Sequence, residues 1–312
     1  MDTRACRKEF SGLGLRMLAC AFIINGVQIA GQILLVQWKP EWVSDFNVLL
    51  AFTVIPQYVI GYPCAFLVMS DIKDKRQIEK HKMKLWQLLL AFMMGYTLLM
   101  AGNLVGLGFT YGIGVLKGEP VSNALQEMIG DTNIWITSIY TVLLAPVFEE
   151  FLFRKAICDR MVKYGQGAAI ILSGLIFGLF HGNFNQFFYA FFIGSFFAFI
   201  YVKTGNIKYT IAMHMMVNFI GSVVSGLFLQ HVDLEHLTLN GMLLAALYSI
   251  FMYGMVIAGF VLLLVNLSKL KVDVNYHPLM KRQRAKDMLI NVGMILYYVF
   301  FFILMLVQAF FG

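Results

Sequence analysis

A few side chains capable of chemistry stand in stretches that are otherwise apolar. In "PVFEEFLFRKAI", from Pro146 to Ile157, Glu149 and Glu150 sit side by side at the end of an apolar run, and Arg154 follows four residues after the second. His181 closes "FGLFH", with Phe177 four residues before it, and His214 opens "HMMVN", with Asn218 four residues after it. Of the 17 acidic residues, only Glu149 and Glu150 fall within an apolar span. An ionised carboxylate at the centre of a bilayer costs about 2.5–3.5 kcal/mol on insertion scales, so such groups usually face a bundle interior or a polar cavity. Carboxylate and imidazole can move protons, and a carboxamide can orient an imidazole or present its amide to a carbonyl.

Helical geometry separates the two acids. Neighbours on a helix point about 100° apart, so they cannot face one centre equally. Glu150 and Arg154 are related i,i+4 with the acid N-terminal, the favourable order for an ion pair. Glu150 is then neutralised along its own helix, which leaves Glu149 for the cavity. The plainer reading is that both acids mark a helix end and reach for water. Pro146 has no N–H to donate, which predicts a kink or a freed carbonyl just before the pair. The spacing also puts His214 and Asn218 on one helix face. A single histidine within a span is most often a hydrogen-bonded packing residue, and Phe177 is expected to pack. The other histidines, His81, His231, His236 and His277, fall in loops.

The elements that carry these residues are membrane spans. The chain has 312 residues, 60% hydrophobic and only 13% charged, against about 25% charged for soluble domains. Nine stretches approach the roughly 20 apolar residues of a span: 13–36, 47–69, 86–112, 134–153, 166–182, 185–202, 208–229, 241–266 and 288–311. The fold class is therefore all-α, a polytopic transmembrane bundle of about nine spans, or eight if the short, nearly continuous 166–202 region holds one. It reads as a single membrane domain over 1–312. With the N-terminus in the cytoplasm, the inner segments hold 22 of the 24 Lys and Arg, and only Lys39 and Lys117 lie outside. That asymmetry is the positive-inside pattern. It assigns the net charge of +7 to topology and anionic lipid, with no nucleic acid partner. Cys6, Cys20, Cys64 and Cys158 form no CxxC pair, which suggests neither a disulfide framework nor a thiolate metal site. Depth is permissive for convergence of the three motifs, but His214 lies nearer its loop than Glu149 and His181 do, so tilt or a kink is needed.

Glu149-Glu150-x-x-x-Arg154, Phe177-x-x-x-His181 and His214-x-x-x-Asn218, in this order on apolar spans, resemble the CPBP family of intramembrane proteases. That family includes type II CAAX prenyl endopeptidases and the bacterial Abi proteins linked to bacteriocin processing and self-immunity. The resemblance covers 134–225, which it marks as a protease core. It implies an intramembrane endopeptidase acting on a peptide or membrane-anchored protein. In it Glu149 with His181 activates water, His214 and Asn218 stabilise the oxyanion, and Glu150 and Arg154 support the site within a cavity open to the cytoplasm. Family members are often labelled metalloproteases, and two His with one Glu is a recurring zinc set. His181, His214 and Glu149 are the ligands if zinc is used. HExxH is absent, and no cofactor is favoured. Two other classes compete: a proton-coupled transporter, for which an inverted repeat would speak and none is evident, and a non-catalytic scaffold or immunity protein. The short loops and composition look like those of a bacterial cell-membrane protein.

Overall fold

The structure, a computed structural model, describes residues 3–72, 76–122, 133–232, 238–272 and 281–311. Parts of the connections 71–84, 113–133 and 271–287, together with His236 and His277, lie outside the described residues. The fold is an all-α helical bundle. Its helices are α1 (Thr3–Trp38), α2 (Phe46–Ser70), α3 (Leu85–Lys117), α4 (Ile134–Tyr164), α5 (Gln166–Phe180), α6 (Phe184–Thr204), α7 (Ile207–Phe228), α8 (Leu239–Lys269), the short polar α9 (Lys281–Leu289) and α10 (Val292–Phe311). Among the described residues eight of these are long and apolar enough to cross a membrane, and the chain is an integral membrane protein.

Eight of the nine predicted stretches correspond to these eight helices. The ninth, 166–182, is α5, whose 15 residues rise only about 22 Å, short of the roughly 30 Å hydrocarbon core. α5 and α6 form a tight hairpin. Its turn runs through His181, Gly182 at φ +67° and Asn183, whose side chain caps α6 by accepting from the Gln186 N–H. His181 therefore sits at the turn that ends α5, not inside a span.

α6 is the central helix, with α5 against one side and α3 against another. Close approach of α5 and α6 depends on Gly174 and Gly178. A Cβ at Gly174 would meet the backbone N of Ser195 at 2.8 Å, and one at Gly178 would meet the Phe187 carbonyl oxygen at 2.9 Å. Small residues at such crossings are how membrane helices gain van der Waals contact without a hydrophobic drive between them. α8 packs on α3 but keeps most of its apolar surface exposed, as a helix facing lipid must.

Among the described residues, four π-helical stretches interrupt the spans: Gln57–Gly61 in α2, Ile139–Leu144 and Glu150–Ala156 in α4, and Phe219–Val224 in α7. Such insertions re-aim side chains and often occur at functional sites. Two of them flank Glu149.

Candidate active site

α4 supplies Glu149, Glu150 and Arg154. The Glu150 and Arg154 side chains are fully buried and pair, with Arg154 Nε 3.2 Å from Glu150 Oε2. The Glu149 side chain keeps 20% of its surface. The expected division therefore appears: Glu150 is turned into the protein and Glu149 keeps access.

His214 of α7 joins the two acids. Its Nδ1 donates to Glu150 Oε1 at 2.9 Å, and its Nε2 lies 3.8 Å from Glu149 Oε2. A carboxylate only accepts, so the Glu150 bond places a proton on Nδ1 and turns Nε2 towards Glu149. Glu150 is thus held by Arg154 along its own helix and by His214 across to α7. The second was not legible from spacing along one helix.

His181 is fixed in the same manner. Its Nδ1 donates to the Phe177 carbonyl at 2.9 Å, one turn back. A carbonyl also only accepts, which leaves His181 Nε2 with its lone pair. No hydrogen bond or ion pair joins His181 to Glu149 among the described residues. Phe177 connects His181 to the rest. Its ring meets the His181 ring edge-on at 4.8 Å and the His214 ring at 5.9 Å. The Arg154 guanidinium lies 4.1 Å above the Phe177 ring and 5.7 Å from Phe197. Arg154 Nη1 and Nη2 have no hydrogen-bond partner among the described residues, so these aromatic faces hold the cation by its charge. Phe177 absorbs the depth mismatch between α5 and α7, because it reaches His214 while His181 stands a turn further on.

Gly194 of α6 was missed by motif reading. A Cβ there would lie 2.7 Å from Phe177 Cδ1 and 3.4 Å from Arg154 Nη2, so only glycine leaves room for this stack. The signal was a small residue inside a Phe-rich span.

Asn218 is bound to α4. In the π-helical stretch before Pro146, the Ala145 N–H donates to the Tyr140 carbonyl. The next bond in that series would run from residue 146 to the Thr141 carbonyl, and proline has no N–H. Asn218 Nδ2 donates to that carbonyl instead, at 2.7 Å. Ser222 Oγ donates to the Asn218 carbonyl at 2.5 Å and lies 3.1 Å from Thr141 Oγ1. The carbonyl freed by Pro146 thus becomes the joint between α4 and α7. Nδ2 carries a second hydrogen that this joint does not use.

Among the described residues, no three His, Cys, Asp or Glu side chains come together closely enough to hold a metal ion. Glu149, His181 and His214, the ligands if zinc is used, are not gathered into such a group, and the Phe177 ring lies against both histidine rings. An apolar groove of about 370 Å³ lies between α5 and α10, lined by Leu175, Leu179, Tyr298, Val299, Phe302 and Ile303, and includes none of the site residues.

All these motif residues lie within residues 131–220, which match the family model for type II CAAX prenyl endopeptidase Rce1-like proteins. This part of the chain is similar to Rce1-like proteins. Among curated proteins, the chain is 29% identical over 111 residues to the Bacillus subtilis (strain 168) protein named "Putative membrane peptidase YdiL", covering 35% of this chain and 44% of that one. It is 29% identical over 112 residues to "Membrane-embedded CAAX protease MroQ" of Staphylococcus aureus (strain USA300), covering 33% and 45%. The chain thus spans less than half the length of the curated relatives it matches. No solved structure matches it significantly. The Rce1-like segment contains α4 to α6 and most of α7, the helices that build the site.

Proposed function

We propose that the protein is an intramembrane endopeptidase that cleaves a peptide or membrane-anchored protein. The observation that carries this reading is His214 held between Glu149 and Glu150 at 3.8 and 2.9 Å, inside the Rce1-like segment. Glu149 is the acid with access, and it takes a proton from water. His181 Nε2, with its lone pair free, accepts a hydrogen bond from the same water and orients it. The hydroxide adds to the scissile carbonyl carbon. The second N–H of Asn218 and the Nε2 edge of His214 face the oxyanion. On collapse the C–N bond breaks, and the proton held by Glu149 passes to the leaving amine, giving one carboxylic acid and one amine per water consumed. Glu150 and Arg154 position His214 and Phe177 and take no part in proton transfer. The residues present do not form a three-donor metal set, so no step is routed through an ion. Processing of a bacterial leader peptide or membrane-bound precursor, including one involved in bacteriocin maturation or self-immunity, suits a site at this depth.

The test compares membrane peptidomes of cells expressing the wild type and Glu149→Gln at equal abundance. Defined cleavage products should vanish in the variant. Identical peptidomes would sink the protease reading and leave a transporter or scaffold.

A further inference from the structure

α2 lies outside the Rce1-like segment, yet it builds a wall beside Glu149. Its π-helical stretch Gln57–Gly61 turns Tyr58 towards α4. The Tyr58 ring stacks on Tyr62, with centroids 5.3 Å apart and planes 5° apart. It also meets Phe148 at 4.8 Å and Tyr140 edge-on at 6.0 Å. Phe148 is the chain neighbour of Glu149, and Tyr62 touches it as well, at 5.3 Å.

The Tyr58 hydroxyl is anomalous. The residue is 94% buried, being 6% exposed, and its hydroxyl has no hydrogen-bond partner among the described residues. Burying a hydroxyl without a partner is unfavourable, and a phenylalanine of the same shape would avoid it. The surrounding wall already accepts phenylalanine at Phe66 and Phe148, which stack at 6.2 Å. Packing alone therefore does not explain the hydroxyl. The other side of the site is short of donors, because one of the two Asn218 amide hydrogens is taken by the Thr141 carbonyl.

We propose that Tyr58 is a further catalytic residue, whose hydroxyl donates a hydrogen bond to the oxygen of the scissile carbonyl and to the oxyanion formed from it. This rests on the protease reading above. α2 then contributes to the site from outside the matched segment, through the π-helical stretch that packs this phenol's ring on Tyr140 and Phe148 of α4.

The test begins with peptides lost from the membrane peptidome of Glu149→Gln cells. The best of them, made as a quenched fluorescent substrate, is given to the purified full chain in lipid nanodiscs. Tyr58→Phe keeps the ring stack and removes only the hydroxyl. Its kcat should fall about 100-fold, as for loss of other oxyanion donors, with KM changed less than about threefold, as expected of a contact formed in the transition state. Its thermal midpoint should be unchanged or higher, because a buried unsatisfied group has been removed. A kcat within about threefold of wild type overturns the proposal. So does a kcat loss accompanied by a lower midpoint, which would make the hydroxyl structural. Peptidomes that do not respond to Glu149→Gln remove the protease reading and this proposal together, whereas responsive peptidomes with full Tyr58→Phe turnover remove this proposal alone.

Discussion

At the scale of single residues, the two adjacent glutamates differ by environment more than by chemistry. Glu150 is fully buried between Arg154 and His214, while Glu149 keeps part of its surface. Glu149→Gln keeps shape and removes the base, so turnover should fall by at least about 100-fold at normal abundance. Glu150→Gln leaves the Arg154 cation buried without its acid, and breaking such a pair typically costs about 3–5 kcal/mol. Its main effect should be lower abundance and a lower unfolding midpoint. Equal losses of activity at equal abundance would contradict this split. The same atoms bear on metal use. With Glu149 and His181 working on water directly, dialysis against a chelator should leave the cleavage rate within about twofold. Stoichiometric zinc, with activity lost on chelation and restored by the metal, would overturn that scheme.

At the scale of elements, the site depends on departures from regular helix. Pro146 interrupts the hydrogen-bond series of α4 at the Thr141 carbonyl, and Asn218 of α7 takes that acceptor. The two helices are locked by a backbone group that a regular helix would have used itself. This predicts an energetic coupling between Pro146 and Asn218. In the wild type, Asn218→Ala removes this donor from the carbonyl and should lower stability by about 1–3 kcal/mol. In a Pro146→Ala background residue 146 regains its N–H and supplies the carbonyl locally, so Asn218→Ala should cost under about 0.5 kcal/mol. A double-mutant cycle by denaturant unfolding in detergent measures this, and additive effects would remove the lock. Packing around Phe177 makes a second demand. Gly194→Ala should push its ring out of the Arg154 stack and lower both stability and activity, whereas alanine at the open Gly254, where a Cβ meets nothing within 4 Å, should be tolerated.

At the scale of the whole molecule, membrane orientation follows from charge. With 22 of 24 Lys and Arg in alternate segments, reporter fusions after Lys84 and after Lys286 should both report cytoplasm, and a fusion at the C-terminus should report the outside. The short α5 is the element that could upset this parity, because its length falls below that of a full span. A cytoplasmic C-terminus would mean that α5 and α6 do not each cross. The same arrangement places the site. α4, α5 and α7 bring the motifs together, α6 packs behind Arg154 and Phe177, and α2 packs on Phe148, the neighbour of Glu149.

The sequence alone determined the solvent of this protein and the chemical residues within it. Composition and charge asymmetry required membrane spans, because apolar stretches of about 20 residues can satisfy their backbone in lipid only as helices. In and beside those spans each polar residue stands out against its background, so Glu149, Glu150, His181, His214 and Asn218 stood out as candidates before any fold. The Glu150–Arg154 pair was legible as well, since both partners share one helix and its period is known. Contacts between helices were not. That His214 bonds Glu150, that Phe177 carries Arg154 and joins the two histidines, that Asn218 fills the carbonyl freed by Pro146, and that Tyr58 stands beside Glu149 all depend on helix tilt and on π-helical insertions. These are set by tertiary packing, and no pattern along one helix encodes which face of another it will meet.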